Sequence, residues 1–263
     1  MSAVTTIVLL VLCAVCIASL IYLIYRGRTQ YARYSQSPHP FHKPHTTDRT
    51  KIAILFTMYN RSDERKRMAE DVIRWYTSMR QDGKSVVEDF DMSAQSVDIF
   101  TVDSANRGVN HDLVPLRNQA IFEQDDKCKV KSRDSTELEL CSLRYAASVL
   151  DFSGYEYVVK LTTKYKLDPF ILPVGFDIVV QSQHVDKPAN NSKFEGWQNS
   201  ELFALKATRF EEFVRRLSTE YEAALEHRLW MLSHSDDVRF TRLPKLRNHA
   251  KYANAMGYNL QVL

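Results

Sequence analysis

The sequence predicts an α/β fold, a Rossmann-like and mostly parallel sheet flanked by helices, preceded by one N-terminal transmembrane helix. Three observations carry that expectation. From residue 51 onward, short apolar runs bounded by polar residues alternate with amphipathic stretches, as strands alternate with crossover helices. One of the runs, KIAILFTMY at 51–59, is continuously apolar, the mark of a strand covered on both sides, and VVKL at 158–161 enters as an apolar strand with lysines at its exit. Val4–Tyr25 is 22 residues without a charge, about the length that crosses ~30 Å of hydrocarbon.

Taken in order, residues 1–3 are a short tail and residues 4–25 are the membrane helix. A cleaved signal peptide is the competing reading. The apolar run exceeds the roughly 7–15 residues of a signal core, and no basic residue precedes it. Residues 26–50 hold three prolines, three histidines and several Ser and Thr, a stalk. His39, His42 and His45 have no acidic or cysteine neighbour and read as solvated linker. Residues 51–263 form the α/β domain.

Orientation evidence points both ways. Arg26, Arg28 and Arg33 follow the apolar run and no cation precedes it, which favours a cytosolic domain. Against that, Asn60-Arg61-Ser62 and Asn190-Asn191-Ser192 are glycosylation acceptors in a secretory lumen. Cys128 and Cys141 are the only thiols outside the membrane segment and suit a single disulfide. A lumenal domain in the Golgi or endoplasmic reticulum is the expectation.

Five of the 35 Lys and Arg but one of the 32 acids fall in residues 1–50, so residues 51–263 carry a net charge of −1. A domain without cationic excess is poorly made for nucleic acid.

Within the domain, Lys51–Tyr59 is a strand. Residues 61–81 follow as a helix with Ser62 or Asp63 as cap and Met68, Val72, Trp75 and Met79 on one side. Val97–Val102 is a strand leading into the polar loop Asp103–Gly108. A helix is expected within Leu113–Glu123, starting near Pro115. Next comes a helix opened by Asp134 and Glu137 at capping-box spacing, with Leu138, Cys141, Tyr145 and Val149 on its buried face. The strand YEYVVKL follows, then short apolar runs near Asp177 and Ser200, a helix over Thr208–Leu232 and a last short strand at VRFTRLPKL. Open α/β sheets hold ligands beyond the carboxyl ends of their strands, which groups the loops TMYNRS and VDSANRG with the exit LTTKYKL.

Lys160-Leu161-Thr162-Thr163-Lys164-Tyr165 resembles a K-[IL]-[ST]-G-[RK]-Y pattern at a strand end in little-characterised glycosyltransferase-like families of single-pass membrane proteins. The resemblance extends to KIAILFTMYN, STELELCSLRYA, NSELFALKATRFEEF and the terminal EHRLWM and RLPKL segments, most of residues 51–247. Its one sharp motif is six residues long, and Thr163 stands where glycine is usual. It implies a glycosyltransferase A-type fold and transfer of a sugar from a nucleotide-sugar donor to a glycan or lipid acceptor.

That chemistry needs counter-charge for a departing diphosphate, from a carboxylate-held divalent metal (Mn or Mg) or from fixed cations. Lys160 and Lys164 suit the second solution, with Thr162 and Tyr165 as hydrogen-bond partners; as an alternative they are solvated lysines at a sheet margin. Asn60, Arg61 and Asp103 are the other donor-binding candidates, although Asp103 could equally open a turn. Asp236 is the chosen general base, ahead of Glu201, Glu226 and Asp237. No metal-binding residues are assigned. The one Asp-x-Asp triplet, Asp89-Phe90-Asp91, precedes a strand instead of ending one, and Glu137 and Glu139 face different ways on a helix. Walker, G-x-G-x-x-G, nucleophile-elbow and paired CxxC motifs do not occur, which removes the common NTPase, dehydrogenase, hydrolase and zinc readings. Two alternatives stay open: a catalytically silent, membrane-tethered binding module, and a phosphate-ester hydrolase with His111 as its nearest candidate.

Overall fold

The computed structural model describes residues 51–81, 97–124, 128, 135–167, 170, 172–182 and 198–243. The chain divides into units Met1–Thr47 and Asp48–Leu263, and every described residue belongs to the second. The expected membrane helix and stalk, the Asp89–Asp91 triplet, Asp134 and the Asn190 sequon lie outside the described residues. No helix among the described residues is long and apolar enough to cross a membrane.

The elements are β1 (Ile52–Met58), α1 (Asp63–Gln81), β2 (Val97–Asp103), β3 (Gln119–Ile121), α2 (Ser135–Val149), β4 (Tyr157–Thr162), β5 (Ile178–Ser182), β6 (Gln198–Lys206), α3 (Phe210–Thr219), α4 (Leu225–Ser233) and β7 (Phe240–Arg242). They build one seven-stranded sheet of order β3-β2-β1-β4-β6-β5-β7. β3, β2, β1 and β4 run parallel, while β6 runs antiparallel to both β4 and β5. The fold is thus a mixed, mostly parallel sheet flanked by helices.

Alternation along each strand sends side chains to two cores. Ala53, Leu55, Val102, Val158, Phe203 and Leu205 meet α2, α3 and α4 on one face. Ile54, Phe56, Val159, Leu161 and Ala204 meet Ala69, Val72, Ile73 and Tyr76 of α1 on the other. All of β1 and β4 is buried, as the unbroken apolar run of β1 requires, and in β4 that burial includes Lys160 and Thr162.

Two consequences of this topology position the site. The chain leaves β1 toward β2 and β3, then returns to β4 on the other flank of β1, so the β1/β4 boundary is the switch point at which α/β sheets open a crevice. Because β6 is antiparallel, its first residues lie beside the last residues of β4, with Leu161 opposite Leu202. Ser200 and Glu201 therefore join the carboxyl edge although they are not at a strand exit.

Three expectations change. The helix expected in Leu113–Glu123 is a single 3-10 turn, Leu116–Asn118, followed by β3. Gln119 is the reason. Its buried side-chain amide bonds Val109 N, Val109 O and Val114 O, which pins the loop against the strand. The helix expected over Thr208–Leu232 is two helices separated at residues 220–224. Ser218 and Thr219 bond back to the carbonyls of Val214 and Arg215, a pattern that weakens helices. Arg228 then takes the Leu217 and Ala223 carbonyls and closes the break. Finally, the buried face of α2 keeps the expected Cys141, with Tyr145 packed against the core, but extends to Thr136, Leu140, Leu143 and Ala146, and Val149 is exposed.

Candidate functional site

At the carboxyl edge, Met58 is opposite Asp103 and Thr57 is opposite Thr162, so the exits of β2, β1 and β4 stand side by side. Asp103 is fully buried. Its carboxylate accepts from Asn60 N (3.2 Å), Asn60 Nδ2 (3.4 Å), Ala105 N (3.1 Å), Arg107 N (3.3 Å) and Gly108 N (2.8 Å). Those bonds occupy the oxygens that a ribose would need. Asp103 is the knot that ties the β1 and β2 exit loops together.

The knot needs glycine at 108. Gly108 has φ +57°, and a Cβ there would sit 2.5 Å from Ile121 Cδ1 and 2.9 Å from Gln119 Oε1. Asn60 is 2% exposed, its amide turned inward to Asp103 and Met58. Arg61, next along, is exposed and lies over the Tyr59 ring at 4.3 Å.

On the α2 side of the sheet, the β1/β4 boundary holds a charged network. Lys160 is 1% exposed, and its Nζ meets Glu139 Oε1 at 2.6 Å and Ser200 O at 2.5 Å. The Phe203 ring lies 5.6 Å away. Thr57 donates to the same Glu139 oxygen at 3.0 Å. Lys164, half exposed on the turn after β4, pairs with Glu201 at 2.7 Å. Ser200 donates to Glu226 at 2.7 Å. Burial pushes the Glu201 carboxyl up, but Lys160, Lys164 and the Thr162 hydroxyl together outweigh burial and hold it below the ordinary glutamate range.

Two lysines and two glutamates thus form a charge-balanced quartet drawn from β4, β6 and α2. Lys160 is shut away from water, whereas Lys164 is half exposed. Neither stands as bare counter-charge, because each has a carboxylate at hydrogen-bond distance.

The remaining candidates disperse. Tyr165 is 3% exposed in the α1-side core, where its carbonyl accepts from Tyr76 OH. Lys166 pairs with Asp71 at 2.8 Å on that same side. Asp236 is exposed on the turn after α4, and its neighbour Asp237 binds Arg209 and Arg216. Arg209 follows the end of β6, whose Lys206 is opposite Tyr157 at the start of β4. Asp236 is therefore at the margin opposite Lys160. His111 is well exposed, with Asp112 at 3.9 Å. Cys128 and Cys141 form a disulfide, which fastens the segment after β3 to α2.

Glu139, set aside in the sequence as half of a carboxylate pair for metal, sits at the centre of the network. One signal could have found it: Glu139 lies four and seven residues before the buried Leu143 and Ala146, on the stripe facing the sheet.

Among the described residues, the exit of β4 through Thr162, Thr163 and Lys164 carries no carboxylate, and Glu139 and Glu201 beside it each hold an ammonium group. No group of three His, Cys, Asp or Glu suited to a metal occurs among the described residues.

No family model matches the chain, and no curated protein matches it. Among solved structures it is similar to the glycosyltransferase GlyE of Streptococcus pneumoniae (10% identity, 73% of this chain and 45% of that one, TM-score 0.39). It is also similar to a Drosophila β-1,4-galactosyltransferase 7 variant crystallised with manganese, UDP-Gal and xylobiose (10%, 73% and 64%, TM-score 0.37). A third is mouse xyloside xylosyltransferase 1 (14%, 74% and 84%, TM-score 0.39). The chain spans less than half the length of the first. This is a likeness of fold alone, and it assigns neither activity nor substrate to this chain.

Proposed function

We propose that this chain is a membrane-anchored transferase that moves a sugar from a nucleotide-sugar donor to a glycan or lipid acceptor at the β1/β4 boundary. The observation that carries the reading is the burial of Lys160, with its glutamate partner, at the switch point of the sheet. Desolvating the Lys160 ammonium costs several kcal/mol, and an apolar residue in its place would be as stable or more so. A charged network at the end of a parallel sheet where ligands bind is better explained by chemistry than by packing.

In this reading Lys164 and Arg61 face the leaving diphosphate. Lys164 is the half-exposed lysine and can exchange Glu201 for phosphate, while Arg61 has no carboxylate partner among the described residues. The Asn60–Asp103 knot holds both exit loops rigid beneath the nucleotide, and Thr162 lies between the loops and the quartet. Val4–Tyr25 anchors the chain, and the disulfide together with the Asn190 sequon supports a lumenal domain.

The test is a donor screen on the full chain in detergent, reading nucleoside-diphosphate release with Mn²⁺, with Mg²⁺ and with chelator. Release that survives chelation is expected. Release that depends strictly on metal would remove Lys164 as the main counter-charge.

A second reading rests on the charge balance of the quartet. With each lysine already matched, the edge also suits a neutral polyol held without turnover, a membrane-tethered binding module. Donor binding without release from any donor would select it.

A further inference from the structure

If the chain is a transferase, its acceptor hydroxyl needs a proton acceptor close to the reacting carbon. Asp236, the acid chosen from the sequence, is on the far margin of the sheet. Asp103 is fully buried and accepts five N–H bonds. Glu226 receives Ser200. Glu201 is shared between two ammonium groups and Thr162, which makes it a poor proton acceptor.

Glu139 differs from Glu226, which a single donor holds, in being fixed from two strands of the sheet. Both of its bonds, from Lys160 Nζ and Thr57 Oγ1, go to the single oxygen Oε1. Its Oε2 makes no bond among the described residues, and 27% of the side chain is exposed. Two donors on separate strands therefore fix the carboxylate plane and leave one oxygen to a ligand in the switch-point crevice. Held groups of this kind need no reorganisation when the reaction occurs.

We infer that Glu139 is the general base of the proposed transfer. The acceptor oxygen forms its bond to the anomeric carbon of the donor as the bond from that carbon to the diphosphate oxygen breaks. The electron pair of the broken bond leaves with the diphosphate, and the hydroxyl proton passes to Glu139 Oε2, from which solvent removes it after product departs. Lys160 is the positioning residue: its Nζ stands 2.6 Å from Glu139 Oε1 and holds that oxygen in place. Thr57 fixes the same oxygen from the neighbouring strand. The ligand group over the quartet is therefore a neutral sugar hydroxyl, and the diphosphate lies beyond it near Lys164 and Arg61.

The inference rests on the transferase reading, and one experiment separates the two. Steady-state kinetics of the full chain are measured across pH for wild type, Glu139→Gln and Glu139→Asp, with circular dichroism on each. The Gln variant is expected to lose 100-fold or more in kcat with donor KM within about threefold, and to lose the rising acid limb of the kcat/KM profile. The Asp variant keeps the charge with a shorter reach; a 10- to 100-fold loss with the acid limb retained is expected. It also serves where the Gln variant does not fold. A folded Gln variant within threefold of wild type, or one that keeps the acid limb, overturns the role of Glu139 alone, as does an Asp variant at full rate. Wild type that turns over no donor overturns the transferase reading and this role with it.

Discussion

Replacing Glu139 by Leu should destabilise the domain far more than replacing Lys160 by Met, although both changes break the same 2.6 Å ion pair. The difference lies in what each leaves behind. Without Glu139, the Lys160 ammonium stays 1% exposed, with Ser200 O and the more distant Glu201 charge as compensation. An uncompensated buried charge costs about 3–5 kcal/mol, and the surviving partners place this one near ~3 kcal/mol. Without Lys160, Glu139 has 27% of its side chain in reach of water and keeps the Thr57 bond, so the loss is about 1 kcal/mol. The double variant, two apolar groups of similar volume, should recover most of the loss.

The assay is urea unfolding of the full chain, followed by tryptophan fluorescence. With a slope near ~2 kcal/mol per molar urea, the midpoints should fall by about 1.5 M for Glu139→Leu and about 0.5 M for Lys160→Met. Equal shifts, or the larger one for Lys160→Met, would mean that water reaches the ammonium group. The argument that the pair is kept for chemistry would then lose its ground.

Three further outcomes follow from the geometry. Glu201 titrates below its unfolded value of 4.5, so its contribution to stability is complete above pH 4.5 and is lost as pH falls through the folded value. Glu201→Gln should flatten the fall of unfolding free energy below pH 4.5, and an unchanged slope in acid titration would refute that assignment. The Cys128–Cys141 bridge closes a short loop, with a sequence separation of 13; Cys128→Ser should cost about 3 kcal/mol by denaturant unfolding. A loss under 0.5 kcal/mol would show that α2 holds its place without the bridge. The Asn60 sequon should carry no glycan in the folded protein, because its amide is buried against Asp103. Ser62→Ala removes that sequon at an exposed site and should leave the endoglycosidase-sensitive mass shift unchanged, whereas Asn190→Gln should abolish it.

How much of this was legible in the sequence depends on how far apart in the chain the cause of each feature lies. β1 could be read from its own residues, because a strand buried on both faces announces itself in an unbroken apolar run, and β4 from the apolar entry that precedes its lysines. The lysines at the exit of β4 could be read too, since the parallel-sheet rule assigns a place to any polar group at that edge. The partners of those lysines were out of reach. Glu139 contacts Lys160 across 21 residues and Thr57 across 82, and only the rotation of α2 decides that it faces the sheet. Cys141 and Tyr145 do face the core, but they mark only one side of a buried face that also holds Leu140, Leu143 and Ala146, the side that brings Glu139 to the sheet. Glu137, two residues before Glu139, turns instead to Arg228 at 2.6 Å, so the divergence of the two acids was sound while their separate partners stayed hidden. The distance of Asp236 from Lys160 was hidden for a related reason: its side of the sheet depends on α3 and α4 being two helices, with Arg228 binding the Leu217 and Ala223 carbonyls at the break. The same tertiary contacts that hid Glu139 from the sequence give it its role, since a carboxylate whose orientation is imposed by two other strands can be held ready for a ligand, whereas an acid on a free turn cannot.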